Sequence, residues 1–190
     1  MQNQNFRYFK KHLLSEHFLI EGFIEKELKI NPEEIKSHIL NHYNEKYQSG
    51  KGDIFSKFNQ YYDIGYHQHI HWIQDHLKDH YKATYDWGLV VNDTKAVIQK
   101  QNEMVNTHNH LTVFDLNGSP DVSMLYTLQS GEENSFVIFD YDDGRKKERQ
   151  FEIELVPNKF VLFSSHIPHR ITENKNKDLM INISYKFQLY

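Results

Sequence analysis

Between residues 32 and 48 the apolar side chains Ile35, Ile39, Tyr43 and Tyr47 recur every fourth position, which places them on one face of an α-helix. Asn31 stands where a cap is needed, Pro32 suits the first helical position, Glu33 and Glu34 complement the positive end of the dipole, and Gly50 marks the end. A second helical pattern runs from Tyr66 to Tyr81 through Ile70, Ile73 and Leu77. Ahead of both, one helical stretch is expected around Phe6 to Leu14, and residues 18–30, FLIEGFIEKELKI, alternate as a strand does.

From Trp87 onward the pattern changes to short β-type runs separated by turn signals: NGSP at 117–120, SGEEN at 130–134, DDG at 142–144 and Pro157-Asn158. The expected strands are 95–101, 104–108, 122–128, 135–141, 149–155, 159–164 and 179–187, a spacing typical of a sandwich or barrel. Helices followed by strands predict an α+β fold in one domain over 1–190, with 1–86 mainly a helical support segment and 87–190 the β core.

Composition narrows the function. The chain has 190 residues, enough to bury roughly 70% of its unfolded surface without staples. It contains no cysteine, which excludes disulfides, thiolate metal sites and iron–sulfur clusters. A formal net charge of −4 disfavours nucleic acid as a partner. No apolar run of about 18 residues is present and the start, MQNQNFRYFKK, is polar, so no membrane association is expected and the location is expected to be cytoplasmic. The aromatic-rich first half could bury a homodimer face.

Thirteen histidines remain to be sorted. In HQHIHWIQDHLKDH the pairs His67/His71 and His76/His80 have i, i+4 spacing, but no carboxylate joins them and they alternate with the Ile70/Ile73/Leu77 stripe as a solvated face would. The second group differs. His108 and His110 lie two apart at a strand end, which puts both imidazoles on one face, and SSHIPHRI supplies His166 and His169 directly after the apolar strand KFVLF. At the mouth of a small barrel such imidazoles can converge on a metal with open positions; the competing reading is ordinary loop histidines. On the last strand, alternation puts Met180, Asn182, Ser184 and Lys186 on one face, lining either a wet cavity or a solvent-facing sheet edge.

The HNH run at 108–110, VSMLYTL at 122–128, VPNKFVLFSSHIPHRITEN at 156–174 and MINISYKF at 180–187 resemble the non-haem iron(II), 2-oxoglutarate-dependent oxygenases with a double-stranded β-helix, particularly a marine bacterial and phage-associated branch with an HxH signature. The resemblance covers about residues 95–187. It implies a C-terminal jelly-roll, cupin-like barrel with N-terminal supporting helices, holding Fe(II) and taking 2-oxoglutarate as co-substrate to hydroxylate a C–H bond of an unidentified small molecule or side chain. His108 and His169 match the first and last metal ligands. His110 stands where relatives carry the carboxylate of the facial triad, with Asp115 as a substitute carboxylate, and His166 matches a neighbouring position outside the ligand set. Relatives hold the far carboxylate of 2-oxoglutarate with an arginine where this chain has Met180, so Lys186, helped by Tyr126, Asn182 and Ser184, is the expected replacement. Phe114, Phe139, Tyr141 and Phe163 would give dry walls, or simply core. There are two rivals: a cupin-like three-histidine dioxygenase or isomerase that does not use 2-oxoglutarate, favoured by both His110 and Met180, and a catalytically degenerate jelly roll serving as a binding module.

Overall fold

A computed structural model of the chain describes residues 10–14, 17–24, 29–48, 60–85, 88–112, 115–142 and 147–190. The chain opens on a hairpin of β1 (Lys10–Leu14) and β2 (His17–Phe23). A helix is expected through Leu14; residues 6–9 lie outside the described residues, and Lys10–Leu14 is a strand. The reason is tertiary, since β1 pairs with β2 along its whole length, Lys10 opposite Glu21 through Leu14 opposite His17, and such pairing overrides a weak local pattern.

The capped segment forms α1 (Pro32–Tyr43), with Asn31 Oδ1 accepting from the Glu34 amide at 3.3 Å, and continues as a π-helical turn over Asn44–Gln48. A short strand β3 (Tyr61–Asp63) precedes α2 (Gln68–Tyr85); the turn between them passes through Gly65 at φ 63°, a left-handed value glycine adopts without steric cost. The eight strands that follow are β4 (Leu89–Gln99), β5 (Val105–His108), β6 (Val122–Gln129), β7 (Phe136–Asp142), β8 (Glu148–Glu154), β9 (Lys159–Ser164), β10 (His169–Ile171) and β11 (Met180–Leu189). The sequence pattern locates seven of these and misses β10, whose three residues are too few to show a period.

The strands form two antiparallel sheets, ordered β1-β2-β9-β6-β11-β4-β3 and β5-β10-β7-β8. Residues 1–86 are therefore more than helical support, because β1, β2 and β3 extend both edges of the large sheet. The helices cover the outer face of that sheet. Ile35, Ile39, Ile70, Ile73, Leu77 and Tyr81 pack there against Met124, Ile181, Ile183 and Tyr185, and Tyr185 Oη donates to the Ile70 carbonyl at 3.0 Å. A second core fills the space between the sheets, from Leu19, Val97, Leu125, Val161, Phe163 and Met180 on one side to Val105, Val137, Phe139, Ile153 and Ile171 on the other. Each fully buried aliphatic side chain contributes about 1.5–3 kcal/mol, so the two layers bind the sheets and helices into one fold. No described helix is long and apolar enough to cross a membrane.

Candidate metal centre

Two features of the ladders build the site. In the small sheet β5 and β10 are antiparallel neighbours with His108 opposite His169. Their register slips between His169 and Ile171, so that Ile171 faces Val105 across three β5 residues instead of two. Strict alternation from the inward-facing Val105 would send Thr107 inward and His108 out; the bulge leaves both Asn106 and Thr107 exposed and turns His108 inward beside His169. His110 lies just past β5, fixed by its amide donating to the Ser165 carbonyl at 2.9 Å.

The three imidazoles form one group, each offering a ligand nitrogen within 4.8 Å of the others, with ring centroids 4.4 Å apart for His108 and His169 and 4.9 Å for His110 and His169. Their tautomers follow from their partners. His108 Nδ1 donates to the Asn106 carbonyl at 2.8 Å and His169 Nδ1 to the Ile167 carbonyl at 3.0 Å; a carbonyl can only accept, so both Nε2 atoms keep a free lone pair. His110 Nδ1 meets Ser123 Oγ at 2.5 Å, and Ser123 Oγ meets Ser165 Oγ at 2.7 Å, a relay that can accept the Nδ1 proton and free the third Nε2 as well. Burial, more than any charge, holds all three imidazoles neutral: His169 is pushed down to about 3, His110 well below the ordinary range and His108 below it. Neutral, orientated, mutually facing imidazoles are what a metal site requires and a poor choice for packing alone.

A cavity of about 240 Å³ opens onto the group, lined by Tyr61, Lys95, His108, Asn109, His110 and Lys186. A second bulge, in the β4–β11 ladder, shapes its rim: Lys186 faces Asp93 and Phe187 faces Val91, so Asp93 turns toward the mouth while Val91 packs on the outer core. Asp93 lies 3.5 Å from Lys186 Nζ and 3.7 Å from Lys95 Nζ, one carboxylate between two ammonium groups. Tyr61, on β3, reaches the histidines with its hydroxyl 2.9 Å from His108 Nε2 and 3.5 Å from His110 Nε2. Tyr61, Lys95, Asp93 and Ser123 are absent from the sequence-based site. Tyr61 sits in a three-residue strand with no period to read, and Lys95 has no motif.

The other expected residues are sorted by this geometry. Asp115 is exposed, receives the Gly118 amide at 2.9 Å and stands outside the histidine group, so His110 joins the group in its place. His166 is exposed and also outside it. Met180, Asn182 and Ser184 face the interior and are buried, which excludes the solvent-facing edge. Tyr126 is corrected: β6 alternation carries it to the helix-covered face, where its hydroxyl donates to Asn158 Oδ1 at 3.2 Å, while Ser123, Leu125 and Thr127 take the interior. Phe139 and Phe163 wall His169 at centroid distances of 5.8 and 4.7 Å, Tyr141 packs at the edge of the inner core, and Phe114 lies outside the described residues. In the other histidine run, His67 turns to Glu34 and His38 while His71 stacks on Tyr66, so the pair does not converge. The His80 side chain lies outside the described residues.

Deeper in the barrel, Asn182 pairs across the ladder with Thr127, and among the described residues neither its amide atoms nor Thr127 Oγ1 has a hydrogen-bond partner. An unpartnered buried amide costs about 1–3 kcal/mol. Asn182→Leu is therefore expected to stabilise the metal-free protein by about 1–3 kcal/mol, each kcal/mol raising the thermal midpoint by about 2–4 °C. A lowered midpoint in a melting curve would show that the amide has a partner in the folded protein.

Comparison with known proteins agrees with the topology. The structure resembles a prolyl-4-hydroxylase from Pseudomonas putida, with a TM-score of 0.60 and 14% identity over 92% of this chain and 88% of that one. It also resembles AviO1 from Streptomyces viridochromogenes, with a TM-score of 0.59 and 11% identity over 97% and 90% of the two chains. This is a double-stranded β-helix. The non-haem, α-ketoglutarate-dependent epimerase SnoN of nogalamycin biosynthesis shares it at a TM-score of 0.57, with 7% identity over 90% of this chain and 77% of SnoN. No family model and no curated protein matches the sequence. The eight strands of the double-stranded β-helix are β4 to β11, and its histidine group lies at one open end of the barrel, on β5, β10 and the segment following β5.

Proposed function

We propose that this chain is an iron(II)- and 2-oxoglutarate-dependent oxygenase of the hydroxylating type, with His108, His110 and His169 as its metal ligands. The observation that carries this reading is the convergence of three histidine ligand nitrogens, two of them on buried residues, within 4.8 Å of one another at the mouth of the barrel. The donor set fits the ion: imidazole suits iron, and the carbonyl acceptors on His108 and His169 are the outer-shell hydrogen bonds that orientate metal-bound histidines. When bound, iron(II) and 2-oxoglutarate supply the oxidative chemistry.

The chain's own residues have separable tasks. Lys186, half-buried at the rim and held toward the cavity by Asp93, is a cation for a co-substrate carboxylate, with Lys95 as a second. Asn182 and Ser184, on the same inward face of β11, offer neutral hydrogen bonds deeper in. Phe139 and Phe163 keep water from His169, which preserves the electrostatic strength of the site. The substrate is a C–H-bearing small molecule or side chain that reaches the centre through the cavity.

Anaerobic iron(II) titration of the metal-free protein, followed by 2-oxoglutarate, tests this directly. The expected result is saturable iron binding and then a weak visible charge-transfer band of the chelated keto acid. Iron binding with no band would instead support a three-histidine, cupin-like enzyme that does not use 2-oxoglutarate. Two observations favour that second reading: the group contains no carboxylate, and Met180, where relatives place an arginine, is buried in the inner apolar core. Failure to bind iron would sink both readings.

A further inference from the structure

We propose that Tyr61 is a fourth protein ligand of the resting metal centre, binding through its phenol oxygen as the phenolate. The inference rests on the reading of His108, His110 and His169 as metal ligands, and its first support is position. β3 pairs with β4 with Tyr61 opposite Val97, whose side chain is in the inner core, while Tyr62 turns to the helix side and meets Tyr43 edge-on at 4.8 Å. Tyr61 is thus the one residue of β3 whose ring reaches the histidines, and it stands edge-on to His108 and His110 at interplanar angles of 78° and 85°.

The distances are those of neighbouring ligand atoms. With metal–nitrogen and metal–oxygen bonds of about 2.0–2.1 Å, adjacent donors stand about 3.0 Å apart on an octahedron and about 3.4 Å apart on a tetrahedron. The Tyr61 oxygen lies 2.9 Å from His108 Nε2 and 3.5 Å from His110 Nε2. The ring packs against the inner core, and among the described residues these two nitrogens are the only hydrogen-bond partners of its hydroxyl.

Charge gives the second support. Three neutral imidazoles leave the full charge of a divalent ion uncompensated, whereas a facial triad brings one carboxylate. The histidine group contains no carboxylate, and the nearby Asp115 is exposed and accepts from the Gly118 amide in its own loop. Burial keeps the free Tyr61 phenol protonated, so it would supply an anionic oxygen from the opposite sheet only on coordination. Binding replaces the O–H bond by a metal–oxygen bond and releases one proton to solvent, as anionic ligands do on coordination. Tyr61 would thus help hold a bound ion from the β3 side, at the wall of the cavity through which a ligand enters.

The full-length protein, loaded with iron(II) and then oxidised by air, decides the matter without any turnover. The expected result is an intense visible phenolate-to-iron(III) absorption band in the wild type, absent in Tyr61→Phe while the variant retains stoichiometric iron and wild-type circular dichroism. Stoichiometric iron with no band, or a band that survives Tyr61→Phe, overturns the assignment and leaves Tyr61 a hydrogen-bond donor to His108. Absence of iron binding removes the underlying metal reading, and this one with it. A merely structural role for the ring would not move the band.

Discussion

Replacing His169 with alanine is expected to weaken iron(II) binding by roughly a hundredfold or more, since loss of even an outer-shell partner of a metal ligand costs about 10–100-fold. Of the three imidazoles His169 is the most constrained: 2% exposed, locked opposite His108 by the β5–β10 register, its Nδ1 tied to the Ile167 carbonyl and its ring against Phe163 at 4.7 Å. It has little freedom to be replaced by a neighbour. The consequence for stability is as large. Iron at a thousand times its dissociation constant stabilises the native state by about 4 kcal/mol, and a hundredfold weaker site in His169→Ala should lose about 2.7 kcal/mol of that gain. The metal-free variant should lose only about 1–3 kcal/mol from truncation of a buried ring. Equilibrium dialysis and thermal unfolding with and without iron separate the two effects. His166→Ala is the control, because that side chain is exposed and outside the group. Wild-type affinity in His169→Ala would place the metal elsewhere.

The parts of this site that could be read from the sequence were those carried by periodicity and by side-chain chemistry. Alternation along β11 correctly puts Asn182, Ser184 and Lys186 on one face, and that face proves to be the barrel interior. The HNH run and the later SSHIPHRI identify three histidines that the structure brings together. Alternation fails where the ladder is irregular. By strict period Val105 and His108 point to opposite faces, and only the bulge on β5 reconciles them, which no single sequence displays. Tyr126 fails for the opposite reason. A tyrosine within VSMLYTL looks available to a ligand, yet its parity with Met124 and Leu128 assigns it to the helix-covered face. Tyr61 and Lys95 reach the site from β3 and β4, far from the motifs, through pairings between strands distant in sequence. The first strand shows the same dependence, since Lys10–Leu14 becomes β because β2 offers it an edge.

Lys186→Ala is expected to remove most of the stabilisation that 2-oxoglutarate confers on the iron-loaded protein while leaving iron content unchanged. A charge-assisted hydrogen bond contributes about 1.5–3 kcal/mol, so the affinity for the co-substrate should fall by about 10- to 150-fold. Burial lowers the pKa of this amine and the Lys95 ammonium adds to that, while the carboxylate of Asp93 offsets part of the lowering. Asp93 also keeps Lys186 from folding away, and it holds Lys95 in the same rim. Lys95→Ala should therefore have a smaller effect, since Lys95 divides its contacts between Asp93 and Asp63 at 3.7 and 4.0 Å. Met180 cannot take the role, because its side chain is 1% exposed within the inner apolar core and offers no donor. The measurement is the shift in unfolding midpoint on adding 2-oxoglutarate to each iron-loaded variant under anaerobic conditions. If the shift survives in Lys186→Ala but disappears in Asn182→Leu, the carboxylate is held by neutral hydrogen bonds deep in the barrel, and the rim lysines serve the substrate instead. That outcome would reverse the direction in which the co-substrate lies while keeping its chelating end at the histidines, because Asn182 and Lys186 share the inward face of β11.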